Sequence, residues 1–275
     1  NDMGGAEGMI SGADITLTEQ FLSQARGLKY ISLNCSGYDH IDLDAARANK
    51  IQVSNVQRMN YNAVADFTWG MILALMRRIN EGDKSIRSGK WCDEVKMGIA
   101  VSEKKMGIIG LGSIGQAVAR RAKGFDMTLI SDSRKRDPKI AAKYDITYVS
   151  REDLLSSSDI IVLTCPLVEE TRHMISHNEF KKMKSDAVLI NPSRGGIIDT
   201  EALIWALQNG IIAGAALDVF ETEPLYSSGL FDLPNVLLTP HMAGLADREI
   251  SLVAQRAAVN MVDFLLGKKL NEQII

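Results

Sequence analysis

Apolar residues change their spacing along this chain, and the changes mark its elements. From Leu28 to Leu33 and from Ile51 to Val53, short β-branched runs are bounded by turn residues, and Asp42 to Ala48 between them carries a helical pattern. That strand, helix, strand alternation predicts a small α/β unit. From Ala63 to Met76 apolar residues run nearly all round a helix, broken by Asp66 and Thr68. Such a helix is expected to be covered on several sides, as a domain-linking or subunit-interface helix is.

After the loop glycine in Arg87-Ser-Gly-Lys-Trp91 a longer series begins. Strands are predicted at Met106 to Ile109, Met127 to Ser131, Ile146 to Val149, Asp159 to Leu163, Ala187 to Asn191, Ala213 to Val219 and Val236 to Thr239. Helical patterns separate several of them, at Ile114 to Lys123, Arg151 to Leu155, Asn178 to Met183 and Thr200 to Gln208. This order predicts a parallel, doubly wound sheet with helices on both faces. Near the end, Ile250, Val253, Ala254, Ala257, Met261, Phe264 and Leu265 recur at helical spacing, with Gly267 placed to stop the helix.

With 275 residues and 46% hydrophobic content, the chain has material for one large domain or two ordinary ones. A net charge of -3 leaves no basic footprint for nucleic acid or an anionic membrane. The longest apolar run, Met71 to Met76, falls short of the about 20 residues of a bilayer span. Cys35, Cys92 and Cys165 are odd in number and form no CxxC pair, which points to a reducing compartment. The polar, glycine-rich opening does not read as a secretory leader. A cytoplasmic protein is expected.

The first chemical signal is Gly110-Leu-Gly112-Ser-Ile-Gly115 between a predicted strand and a predicted helix. In that context the first glycine allows the tight turn, the second lets phosphates approach the backbone, and the third lets helix and strand pack closely. The amides of Ser113 and Ile114 open the helix whose positive end suits a pyrophosphate. After the next strand, Ser131-Asp-Ser-Arg-Lys-Arg136 offers Asp132 to the ribose hydroxyls of NAD and three cations to the extra phosphate of NADP. Spacing alone leaves both open.

Arg194, Glu223 and His241 each follow a predicted strand downstream of that turn. A guanidinium holds a carboxylate by two parallel hydrogen bonds, an imidazole exchanges a proton near neutral pH, and a carboxylate sets that imidazole's pKa. Asp218, Glu221 and Glu223 are close in sequence, and any of them could be the histidine's partner. His40, His173 and His177 read as structural or exposed. His173 and His177 have the spacing of a metal pair on a helix, but no glutamate or cysteine completes it, so no metal is expected.

Four segments, Gly107-Ile-Ile-Gly-Leu-Gly-Ser-Ile-Gly115, Leu189-Ile-Asn-Pro-Ser-Arg-Gly-Gly196, Ala216-Leu-Asp-Val-Phe-Glu-Thr-Glu-Pro224 and Thr239-Pro-His-Met-Ala-Gly244, resemble the D-isomer-specific 2-hydroxyacid dehydrogenases in content and order. Gly37-Tyr-Asp-His-Ile-Asp-Leu43 and Ala63-Val-Ala-Asp66 extend the resemblance across the chain. It implies an α/β protein of two Rossmann-like domains. A doubly wound dinucleotide-binding domain would span residues 60–244, and a smaller flavodoxin-like substrate domain residues 1–59 and 245–275, with crossings near Asn60 and Gly244. Family members continue before the position of Asn1, so the substrate domain is expected to be N-terminally incomplete. The helix after Asn62 fits the family's dimer interface, which implies a homodimer.

The resemblance also assigns roles. Arg194 would bind the substrate carboxylate and carbonyl oxygen, His241 would be the general acid and base, and Glu223, selected by the family register, its partner. Asp218 would lie by the nicotinamide, and Thr164-Cys-Pro166-Leu beside the cofactor, with Pro166 a cofactor contact and Cys165 a small filler. The turn Ser36-Gly37-Tyr38 resembles the family's loop that grips the substrate carboxylate through backbone amides. In NAD-preferring members an acidic residue sits 18 positions after the third glycine, where this chain has Ser133 followed by Arg134. That pattern is similar to NADP-preferring glyoxylate and hydroxypyruvate reductases, so NADP(H) is favoured and NAD(H) possible. The implied substrate is a small 2-keto or 2-hydroxy acid. D-3-phosphoglycerate or D-lactate dehydrogenases using NAD are the alternatives within the family. A non-enzymatic sensor like the family's corepressors, or a methyltransferase with a similar glycine turn, are those outside its enzymology.

Overall fold

The computed structural model describes residues 5–13, 15–92 and 95–275. The first four residues of the polar opening read above as no leader, Asn1 to Gly4, lie outside the described residues. In chain order the elements are β1 (Gly8–Ser11), α1 (Glu19–Gln24), β2 (Tyr30–Leu33), α2 (Leu43–Ala48), β3 (Gln52–Ser54), α3 (Tyr61–Met76), α4 (Ile79–Arg87), β4 (Lys105–Ile109), α5 (Ser113–Ala122), β5 (Thr128–Asp132), α6 (Pro138–Tyr144), β6 (Ile146–Tyr148), α7 (Arg151–Ser157), β7 (Ile160–Leu163), α8 (His177–Phe180), β8 (Val188–Asn191), α9 (Thr200–Gln208), β9 (Gly214–Leu217), β10 (Val236–Leu238) and α10 (Asp247–Leu265). They divide into two compact units, residues 1–60 with 245–275 and residues 61–244.

The smaller unit is a parallel sheet in the order β1-β2-β3. Alternate residues face opposite sides of a strand. Ile31, Leu33 and Val53 therefore enter a core with Leu17, Leu22, Ile41, Ala45 and Ala46. The other face meets α10: Tyr30 stacks on Phe264 at 4.6 Å, and the Ser32 hydroxyl donates to Ala257 O at 2.9 Å. Thr18 and Asp42 cap α1 and α2 by accepting from Phe21 N and Ala45 N.

The larger unit is a parallel sheet of seven strands, ordered β10-β9-β8-β7-β4-β5-β6. Each central strand feeds two cores by the same alternation. Ile161, Leu163, Leu189, Ala215 and Leu217 pack with Leu154, Phe180, Leu203 and Ala206 on one face. Met106, Ile108, Ile160, Val162, Val188, Ile190 and Ala216 pack with Trp69, Ile72, Val118 and Ala119 on the other. Burying each large aliphatic side chain contributes about 1.5–3 kcal/mol. The near-continuous apolar runs in the sequence are strands buried on both sides.

Helix α3 belongs to this unit, where Trp69 stacks on Phe125 at 4.5 Å and donates its indole N–H to Val118 O at 3.1 Å. Thr68 turns its hydroxyl back to Val64 O, and Asp66 pairs with Arg121 at 2.6 Å. These contacts account for the apolar richness that suggested a linking or interface helix. Sheet order reverses between β4 and β7: the strands after β4 run out on one side as β5 and β6, and the later ones on the other. Loops leaving the carboxyl ends of β4 and β7 diverge there, the place where open α/β sheets bind ligands.

Candidate active site

The turn after β4 is built from glycine because two approaches are too close for any side chain. Gly110 has φ +95°, and a Cβ on it would lie 2.7 Å from Cys165 N; one on Gly115 would lie 2.4 Å from Gly110 O. Those contacts seat the 164–167 loop, with Cys165 buried and Pro166 next to it, against the turn. Burial pushes the Cys165 thiol up to about 11, which suits a packed filler and not a nucleophile. A Cβ on Gly112 would meet nothing within 4 Å. Gly112 is the N-cap of α5 and supplies no side-chain cap to the first-turn amides of Ser113 and Ile114. An accessible helix end with no side chain in the way fits a dinucleotide's pyrophosphate.

The loop after β5 lies beside this turn. Gly110 N donates to Asp132 O at 2.9 Å, and Leu111 N to the Ser133 hydroxyl at 3.4 Å. Arg134 is exposed. Asp132 carries a partner the sequence did not reveal: Arg151 Nε lies 3.0 Å from its Oδ2. Arg151 is the first residue of α7, after the N-cap Ser150. A cation is electrostatically unfavourable in a helix's first turn, and that oddity was the available signal that Arg151 has an anionic partner.

At the carboxyl ends of β8, β9 and β10 the structure brings together Arg194, Glu223 and His241. His241 Nδ1 is 2.6 Å from Glu223 Oε2, and Glu223 Oε1 accepts from Phe220 N at 2.9 Å. The bond to Glu223 raises the His241 pKa above its ordinary value, with further help from the charges of Glu223 and Asp218, against burial and the Arg194 charge. Burial pushes the Glu223 carboxyl up, but the His241 bond, the Phe220 amide and the charges of His241 and Arg194 hold it below the usual range. Glu223 is therefore a carboxylate, and His241 keeps its proton to higher pH than a free imidazole.

Arg194 is half-buried, with Nη1 donating to Ser193 O at 2.7 Å. Its loop is shaped by the buried Asn191, which donates from Nδ2 to Arg194 O at 2.9 Å and accepts from Ser193 N and Oγ at 3.1 and 2.9 Å. Asn191 was missed as a site residue, although an Asn before Pro-Ser is a turn signal.

Asp218 is fully buried at 0% exposure. Its carboxylate accepts from Thr239 Oγ1 at 2.6 Å, Met242 N at 2.9 Å and Ala243 N at 2.8 Å, while its backbone oxygen accepts from His241 N at 2.7 Å. These bonds hold the loop on which His241 adopts φ +53°, a conformation non-glycine residues seldom take. Of the three acidic candidates, Glu223 touches the imidazole, Asp218 anchors its backbone, and Glu221 pairs with His173 at 2.7 Å. His173 lies in a turn with φ +48° and His177 begins α8, so the two do not share a helix.

Ser36 and Gly37 follow β2 in the smaller unit. The Ser36 hydroxyl donates to Val56 O at 2.7 Å, its carbonyl accepts from Asn55 Nδ2 at 2.6 Å, and Gly37 O accepts from the Cys35 thiol at 3.2 Å.

Residues 69–243 match the model of the D-isomer specific 2-hydroxyacid dehydrogenase NAD-binding domain. The glyoxylate reductase of Thermococcus litoralis is 43% identical over 257 residues, which cover 91% of this chain and 78% of that protein. The solved structure of a glyoxylate reductase from Paecilomyes thermophila superposes with a TM-score of 0.90 at 32% identity, over 98% of this chain and 83% of that one. The apo-structure of D-lactate dehydrogenase from Escherichia coli does so with a TM-score of 0.90 at 32% identity, over 98% and 86%. The chain's cofactor is thus a nicotinamide dinucleotide, and the two-unit α/β architecture is that of these oxidoreductases. The chain belongs to the D-isomer specific 2-hydroxyacid dehydrogenase family.

Proposed function

We propose that the chain reduces a small 2-keto acid, glyoxylate or hydroxypyruvate in the first instance, to the corresponding 2-hydroxy acid, of D configuration where the product is chiral. The single observation that carries this reading is the 2.6 Å bond between His241 and Glu223, within range of the Arg194 charge. The reduced nicotinamide supplies the hydride. Arg194 holds the substrate carboxylate and polarises the carbonyl oxygen, as a guanidinium fork does. His241 gives its proton to that oxygen as hydride arrives at carbon, and takes one back in the reverse direction. Glu223 keeps the imidazole protonated and oriented, and Asp218, at the root of the same loop, flanks the nicotinamide side.

In this reading residues 61–244 are the dinucleotide-binding domain, with Gly110, Gly112, Ser113, Ile114, Gly115 and Pro166 around the cofactor. The remainder is the substrate domain, with Ser36 and Gly37 as its substrate-binding residues. NADP(H) is the favoured cofactor. Ser133 and Arg134 offer a hydroxyl and a cation to the added phosphate, and the Asp132 charge that would repel it is offset by Arg151. The enzyme is a cytoplasmic homodimer in this account. Supporting that are the thiols of Cys35, Cys92 and Cys165, which suit a reducing compartment, and the exposed Ile79 and Ile86 of α4, which suit an interface.

A panel of 2-keto acids, glyoxylate and hydroxypyruvate first, assayed with NADPH and with NADH, tests the proposal. Turnover of glyoxylate with the higher kcat/KM for NADPH is expected. An NADH preference rejects the cofactor assignment alone, whereas no turnover of any 2-keto acid with either cofactor rejects the function.

A further inference from the structure

The larger unit holds a second histidine and carboxylate pair that the chemistry above does not use. Glu221 stands two residues before Glu223, at a point where three segments meet. Its Oε2 is 2.7 Å from His173 Nε2, on the loop after β7. Its Oε1 accepts from Thr200 N at 2.9 Å, at the start of α9, directly after the Arg194 loop. The His173 backbone closes the triangle by donating to Gly196 O at 2.8 Å.

These segments are pressed together with no slack. A Cβ on Gly195 would fall 1.8 Å from Phe220 C and 2.4 Å from Glu221 N, so the backbone next to Arg194 rests directly on the backbone that leads to Glu223. Phe220 N is in turn the amide that holds Glu223 Oε1 at 2.9 Å. A shift of residues 220 and 221 would move both the guanidinium's loop and the carboxylate behind His241. Glu221 spends both oxygens on preventing it.

We infer that Glu221, gripped by His173 and Thr200 N, is a positioning residue for the keto-acid reduction: it fixes the Arg194 loop and the Glu223 carboxylate in one relative arrangement. The inference rests on the roles proposed above for Arg194 and Glu223. Both Glu221 oxygens are taken by His173 and Thr200, so its effect reaches the reaction through the Arg194 loop and Glu223. Two hydrogen-bonding ends are what the geometry demands. A glutamine keeps both, since its amide oxygen can accept from Thr200 N and its amide nitrogen can donate to the His173 ring.

The test compares Glu221→Ala, Glu221→Gln and His173→Ala in the full chain, with glyoxylate as substrate. Reduced-cofactor affinity is read by quenching of protein fluorescence, alongside KM and kcat. Glu221→Ala is expected to bind the cofactor as wild type does, yet to show KM raised about ten-fold and kcat lowered several-fold, a misplacement effect on well-folded enzyme. His173→Ala should fall between it and wild type, and Glu221→Gln should recover to within about two-fold of wild type. In an Arg194→Gln background the KM cost of Glu221→Ala should largely vanish, because the two act through one path. Wild-type KM and kcat in both alanine variants would overturn the inference. So would Glu221→Gln as impaired as Glu221→Ala, or a KM cost that adds fully to that of Arg194→Gln. If Arg194→Gln alone leaves KM and kcat unchanged, the fault lies in the proposed role of Arg194.

Discussion

Replacing Asp218 by asparagine changes one atom at the root of the His241 loop, and the structure sets the consequence. The carboxylate accepts three hydrogen bonds, two at Oδ1 from Thr239 Oγ1 and Met242 N and one at Oδ2 from Ala243 N. An asparagine keeps one acceptor atom, and its amide nitrogen must face a donor. With its oxygen in the Oδ1 place, the Ala243 N–H is left unsatisfied in a buried site, at about 1–3 kcal/mol. The two surviving bonds also lose their charge assistance, so the sum is about 2–4 kcal/mol. That is a large part of a total stability of about 5–15 kcal/mol. Urea unfolding should show a lower midpoint at unchanged slope. The same loop holds His241 in its left-handed conformation, so kcat for glyoxylate reduction should fall on the order of 100-fold. Stability within about 0.5 kcal/mol of wild type, with kcat intact, would refute the claim that Asp218 anchors this loop.

Further outcomes follow from the same geometry. Glu223→Gln removes the main cause of the raised His241 pKa. Reduction needs the imidazolium, so its kcat/KM falls as pH rises through that pKa, and in this variant the falling limb should move to lower pH; an unmoved limb counts against the pair. Arg194→Gln should cost about two to three orders of magnitude in kcat/KM, mostly as KM, because a charged partner of the substrate carboxylate is lost. Arg194→Lys should restore little, since an ammonium lacks the fork. Arg151→Gln leaves the Asp132 charge unopposed, so kcat/KM with NADPH should drop several-fold relative to NADH, the scale of a part-exposed ion pair. An unchanged NADPH to NADH ratio would remove Arg151 from the cofactor argument.

The parts of the fold that could be read from the sequence are those whose period reports burial. Runs such as Ile160 to Leu163 and Val188 to Ile190 face apolar cores on both sides and can hardly be anything but central strands. Strand β1, Gly8–Ser11, was missed because it is an outer strand with a glycine, a serine and the 47% exposed Ile10 among its four residues. Helix α4 was missed because its polar run is interrupted by Gly82 and leaves Ile79 and Ile86 exposed, so no apolar stripe marks a buried face. Helix α6 is short, and its signals are local: Asp137 as cap and Pro138 in the first turn.

The site divides the same way. Arg194, Glu223 and His241 sit in contiguous motifs at strand ends, so sequence order nearly implies their meeting. From chemistry alone Asp218, Glu221 and Glu223 were equivalent; the family resemblance pointed to Glu223, and the tertiary contacts show what each carboxylate touches. The Arg151 to Asp132 and His173 to Glu221 pairs join residues 19 and 48 positions apart and follow no spacing rule.

In the proposed mechanism the His241 imidazole delivers the proton in keto-acid reduction. The most direct measurement is single-turnover reduction of glyoxylate by His241→Gln, with cofactor affinity determined on the same sample. Wild-type affinity for the reduced cofactor is expected, with a hydride-transfer rate lower by roughly 100- to 10,000-fold, the range for loss of a general acid. A rate equal to wild type, with the cofactor bound as tightly, would contradict it.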